Sequence, residues 1–140
     1  MTAGSRATVV VANPDQTVCE VLARVIEAGG HEVIRVTDPA GVVEAVASSG
    51  AQGAVLDLAG STVSALQAIR SHASPAGSAC RVVVISTGPA NAHLAWQANA
   101  DGVLTRPMTS DALRAELDAA LARAEPDRLA ARAAGLAAAG

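Results

Sequence analysis

Five short apolar runs alternate along the chain with five segments whose apolar residues repeat at helical spacing. The runs are Thr8–Ala12, Glu32–Val36, GAVLDL from Gly53, Arg81–Ser86 and GVLT from Gly102. They are rich in valine and bounded by turn formers, which marks strands. Between them, Val18, Val21, Leu22, Val25 and Ile26 make one apolar helical face, and Gly29 and Gly30 end that helix. Val42, Val43, Ala45 and Val46 mark a second helix, Leu66–Arg70 a third, Leu94 and Trp96 a fourth, and Leu113, Leu117 and Leu121 a fifth. Asn13 reads as the N-cap of the first helix, with Pro14 at its first position and Gln16 completing a capping box.

Few folds satisfy this alternation. A helix between successive strands makes them parallel, and a parallel sheet needs helices over both faces. The expectation is an α/β fold: a doubly wound, five-stranded parallel sheet with helices on both faces and flavodoxin-like strand order 2-1-3-4-5. Arg81–Ser86, the most apolar run, is expected at its centre. Residues 1–124 account for these elements. That leaves 125–140, EPDRLAARAAGLAAAG, as an Ala-rich C-terminal tail, either a helical extension or disordered.

Composition removes several functions. A chain of 140 residues suits one domain, and a single Trp with no Phe or Tyr leaves no aromatic platform for single-stranded nucleic acid. A net charge of -3 with scattered arginines argues against a phosphate-backbone footprint. No apolar run is long enough to span a bilayer and MTAGSRATVV lacks a signal-peptide layout, so a cytoplasmic location is expected. Cys19 and Cys80 have no ligand-like spacing and read as core thiols; His31, His72 and His93 likewise read as surface or loop residues. All ten basic residues are arginine, which excludes a Walker A lysine, and no Gly-rich dinucleotide fingerprint follows the first strand. An enzyme is not expected.

In open α/β sheets the site lies beyond the carboxyl ends of the strands. That rule collects Asn13 and Asp15 after strand one, Asp57 at the end of strand three, Ser86 at the end of strand four and Arg106 after strand five. Asp57 directly follows three apolar residues, and a carboxylate there must surface or be paired. Over roughly residues 7–124 the chain resembles a receiver domain of two-component response regulators. The resemblance rests on Asp57 in VLDL, Ser86 in VVVIS and the basic-Pro pair in ADGVLTRPM. It implies that Asp57 accepts a phosphoryl group from a histidine kinase or phosphotransfer protein, while Ser86 and Arg106 contact the phosphoryl oxygens. It also implies a downstream protein docking on the face of the fourth helix, fifth strand and fifth helix.

The pattern departs from that family in ways that bear on function. The family's paired acidic residues after strand one are replaced by Ala12 and Asn13, or by Asn13 and Pro14, depending on the alignment. Mg²⁺ binding is therefore expected to be weak, resting on Asp57, Asp15 and the Ala59 carbonyl. Arg106 stands where the family has lysine, the loop after Asp57 is short, and Val103 stands where the family has a switch aromatic. Two readings follow. One is a stand-alone phosphoaccepting receiver in phosphorelay signalling; the alternative is a phosphorylation-independent pseudo-receiver that works by protein contact.

Overall fold

The computed structural model describes residues 7–72 and 75–139. Residues 1–6 and Gly140, the outer ends of the two expected segments, lie outside them. Strands β1 (Thr8–Ala12), β2 (Glu32–Val36), β3 (Gly53–Leu56), β4 (Arg81–Ser86) and β5 (Gly102–Thr105) form one parallel sheet in the order β2-β1-β3-β4-β5. This is the expected order; it puts β3 in the middle and β4 one position from the edge, so the most apolar run is an inner strand but not the central one. The helices are α1 (Gln16–Ala28), α2 (Val42–Ser49), α3 (Thr62–Ser71), a short α4 (Pro75–Ala79), α5 (Pro89–Gln97), α6 (Ser110–Ala122) and α7 (Glu125–Ala139). The fourth and fifth helices of the sequence pattern are thus α5 and α6.

Strand alternation divides the core in two, because successive side chains point to opposite faces. Val10, Ala12, Ala54, Leu56, Val82 and Val84 pack on one side beneath α2, α3 and α5. Val9, Val11, Val55, Val83 and Ile85 pack on the other, against Cys19, Leu22 and Ile26 of α1 and Leu113 and Leu117 of α6. Where α6 crosses β3, Gly53 lets the helix sit close, since an added Cβ would lie 3.2 Å from Leu121 Cδ2 and that side chain would have to shift. Burial pushes the Cys80 thiol up to about 12, so it stays protonated and unreactive at neutral pH.

The first helix departs from expectation in two respects. Its N-cap is Asp15, whose Oδ1 accepts from the N–H groups of Thr17 and Val18 at 2.8 and 3.1 Å, whereas Asn13 turns inward and is buried. A carboxylate two residues closer to the helix outcompetes the amide for the open N–H groups. Val21, expected on the apolar face, is 57% exposed; Cys19 and Ala23 complete that face instead. The actual stripe is rotated toward Cys19 and Ala23, away from Val21.

His31 also departs from its expected surface position. It is buried, with Nδ1 accepting from the Ala7 N–H at 3.0 Å and Nε2 lying 3.0 Å from Asp118 Oδ1. With Nδ1 already an acceptor, the ring proton sits on Nε2 and is donated to Asp118. The imidazole therefore ties the approach to β1 to α6. His31→Phe should cost about 1–3 kcal/mol by orphaning the Ala7 donor, read as a lower urea midpoint at pH 7.

The 125–139 stretch is helical and docked. α7 leaves α6, passes the start of β5 and packs against α5 on the other side of the sheet. Its anchor is Arg128, only 3% exposed, whose Nε donates to Asp101 Oδ1 at 2.6 Å and whose Nη2 donates to the Cys80 carbonyl at 3.0 Å. Asp101 also accepts from Arg70 of α3 at 2.7 Å, Arg132 of α7 at 3.2 Å and the Val82 N–H at 2.9 Å.

Candidate functional site

The carboxyl ends of the strands share one rim of the sheet. The β1–β3 register pairs Ala12 with Leu56, so the next residues, Asn13 and Asp57, meet side by side. Asn13 Nδ2 donates to Asp57 Oδ2 at 2.7 Å, and its Oδ1 accepts from the Asp15 N–H at 2.7 Å, which fixes the amide's orientation. Arg106, one residue past β5, reaches back to the same carboxylate. Its Nη1 donates to Asp57 Oδ1 at 2.8 Å and its Nη2 to Oδ2. Asp57 is 4% exposed, so a charged group that would be costly to bury alone is held by a guanidinium fork and an amide. The hydrogen bond to Asp57 raises the pKa of Arg106 above its ordinary value, outweighing the opposing effect of burial, and the fork stays cationic.

Ser86 ends β4 on this rim and is buried. Its hydroxyl donates to the Gly88 carbonyl at 3.0 Å and lies 3.3 Å from Thr105 Oγ1, so its described bonds go to groups other than Asp57. The Arg106 N–H donates to the Ser86 carbonyl at 3.2 Å, which seats the arginine at the mouth of β4. Ala59, two residues past Asp57, holds φ at 51°, a left-handed conformation that costs a non-glycine residue about 1–2 kcal/mol. Asp15 stays exposed at the start of α1, its Oδ1 committed to the helix cap.

No protein-family model and no curated protein matches this sequence. Solved structures do match its fold. The chain is similar to a LuxR-family two-component response regulator from Aurantimonas, with TM-score 0.73 and 24% identity over 92% of this chain and 96% of that one. It is similar to the receiver domain of Francisella response regulator 1452, with TM-score 0.69 and 18% identity over 82% and 96%. Vibrio cholerae chemotaxis protein CheY4 gives TM-score 0.67 and 14% identity over 77% and 92%. The fold is that of a response-regulator receiver domain.

On this receiver fold the three residues singled out in the sequence, Asp57, Ser86 and Arg106, stand on one rim, but only Asp57 and Arg106 touch. Receivers are expected to take Mg²⁺ at this point. A divalent cation needs anionic oxygens in place of part of its water shell. What faces Asp57 is instead an amide N–H and a guanidinium, both hydrogen-bond donors. Asp15 Oδ1 is taken up by the cap of α1, and among the described residues no three His, Cys, Asp or Glu side chains gather as a metal site. This donor set does not fit the metal; the cation beside Asp57 is Arg106.

The sequence places Asn13 on this rim but reads it as the cap of the first helix; strand register sets it beside Asp57 as a hydrogen-bond partner. One participant has no counterpart in that reading. Thr105 pairs in register with Ser86, so its hydroxyl was equally available from the order of strands. Among the described residues no helix is long and apolar enough to cross a membrane.

Proposed function

We propose that this chain is a pseudo-receiver: a non-enzymatic signalling module that acts by protein contact, its acceptor aspartate closed by an internal ion pair. The observation that carries this reading is the occupancy of Asp57. Both carboxylate oxygens are engaged by Arg106, and Oδ2 is also engaged by Asn13. A nucleophilic carboxylate needs a free oxygen in line with the phosphorus, together with cations that neutralise the incoming oxygens. Here the cation is spent on the nucleophile itself. The partner is a downstream protein meeting the α5–β5–α6 face, and signalling persists without phosphate.

Acceptance of a phosphoryl group on Asp57, from a histidine kinase or phosphotransfer protein, is the second reading. One observation favours it: the Arg106 side chain is 41% exposed, so it can swing away and then grip a phosphoryl group. Intact mass after incubation with acetyl phosphate and Mg²⁺ separates the two. The expected result is no added phosphoryl mass on the wild type, as on Asp57→Asn. A phosphoryl adduct present on the wild type and absent from Asp57→Asn overturns the pseudo-receiver reading.

A further inference from the structure

The surface of α5 around Trp96 is built to receive a helix. Gly135 of α7 lies so close to the indole that an added Cβ would overlap the ring. The stripe of α7 that is buried or half-buried runs Arg128, Ala131, Arg132, Gly135, Leu136 and Ala139, the i, i+3, i+4 spacing of one helical face. Its only fully buried member is a charged residue, and Leu129, the other large apolar side chain of α7, is 61% exposed. Attachment therefore depends on two features. Arg128 and Arg132 reach the Asp101 carboxylate, and the missing side chain at 135 admits the indole. The fit is incomplete, because Arg132 Nε is buried without a hydrogen-bond partner.

We infer that the Trp96 face of α5 is an exchangeable helix-binding site, filled in this chain by its own α7. The partner that fits carries the same recognition pattern: arginines at i and i+4 directed at Asp101 and a glycine at i+7 over the indole. Such a helix needs no large apolar anchor, because the site selects for small residues and paired guanidinium groups. A helix held by its guanidinium groups more than by large apolar side chains is displaced by one that brings the same groups to Asp101, because the buried carboxylate is then never left unpaired. Release of α7 uncovers α5 beside the face assigned to the downstream partner, so α7 acts as an internal competitor. The inference concerns α7 and α5 alone, and it stands whether or not Asp57 accepts phosphate.

The test uses the full chain carrying Gly135→Val, whose branched side chain cannot pass Trp96. The probe is a labelled synthetic peptide of residues 125–139. Three results are expected. The emission of Trp96, the only tryptophan, shifts to longer wavelength; amides of α7 lose hydrogen-exchange protection while those of β1, β3 and β4 keep theirs; and the variant binds the peptide at least tenfold tighter than the wild type does. A peptide that itself carries valine at 135 should not bind. Arg132→Gln loosens the same contact from its polar side and should give the same ranking even if the valine variant folds poorly. Equal peptide binding by wild type and both variants, no binding by any, or unaltered Trp96 emission and α7 exchange overturns the proposal.

Discussion

Asp101→Asn lowers the unfolding free energy by about 3–5 kcal/mol, the cost of removing one partner from a buried ion pair. The carboxylate has no exposed side-chain area, and three guanidinium groups converge on it from α3 and α7. Burial already lowers the pKa of Arg70 and Arg132, and repulsion from the neighbouring arginines adds to that; Asp101 is the charge that opposes both. An asparagine keeps the shape and leaves the cations facing one another. The expected readout is a melting temperature lower by about 10–20 °C, with loss of α7 protection at the outset.

The pH dependence of that difference follows from the carboxyl itself. Burial works against its ionisation, but the Arg128 hydrogen bond, the Val82 N–H and the Arg70 charge together hold its pKa below the ordinary 3.8. A depressed folded value means that the stabilisation is complete above about pH 4 and is lost as pH falls through the lower folded value. Urea midpoints of wild type and Asp101→Asn should therefore converge in acid and lie furthest apart near neutrality. A constant gap from pH 3 to pH 7 would show that the cluster acts through packing and not through charge.

Arg106→Ala has the second largest expected effect. It strips Asp57 of its fork and leaves a 4% exposed carboxylate with only the Asn13 amide, a loss of about 1.5–3 kcal/mol for hydrogen bonds to a charged group. The direct measure is a double-mutant cycle with Asp57→Asn. The two changes should be non-additive by about 1–3 kcal/mol, because the second removes the charge that the first left stranded. A coupling below about 0.5 kcal/mol would mean that the pair does not hold the rim, and with it would go the physical basis for a closed acceptor site.

The readable parts of this chain are those whose cause is local. Val9, Val10 and Val11 are buried because a β-branched run between turn formers can satisfy both faces only inside a covered parallel sheet, and the run itself announces that. Asp57, Ser86 and Arg106 were recoverable because each follows or ends such a run, and topology sends all those ends to one rim. Asn13 was misassigned at the same level, since a helix start explains it locally while its actual partner is 44 residues away.

The sequence by itself determined the alternation, hence the parallel sheet and the rim at which polar residues collect, because hydrophobic period and connection length act over a few residues. Only the tertiary structure decided which polar groups meet. It joined Arg106 and Asn13 to the two oxygens of Asp57, buried His31 against Asp118, and drew Arg70, Arg128 and Arg132 onto Asp101 so that an Ala-rich segment became a docked helix. The reason is physical. A buried charge is tolerable only where its counter-charge arrives, and the distance between them in space is written in the packing of helices and strands, not in the spacing of residues along the chain.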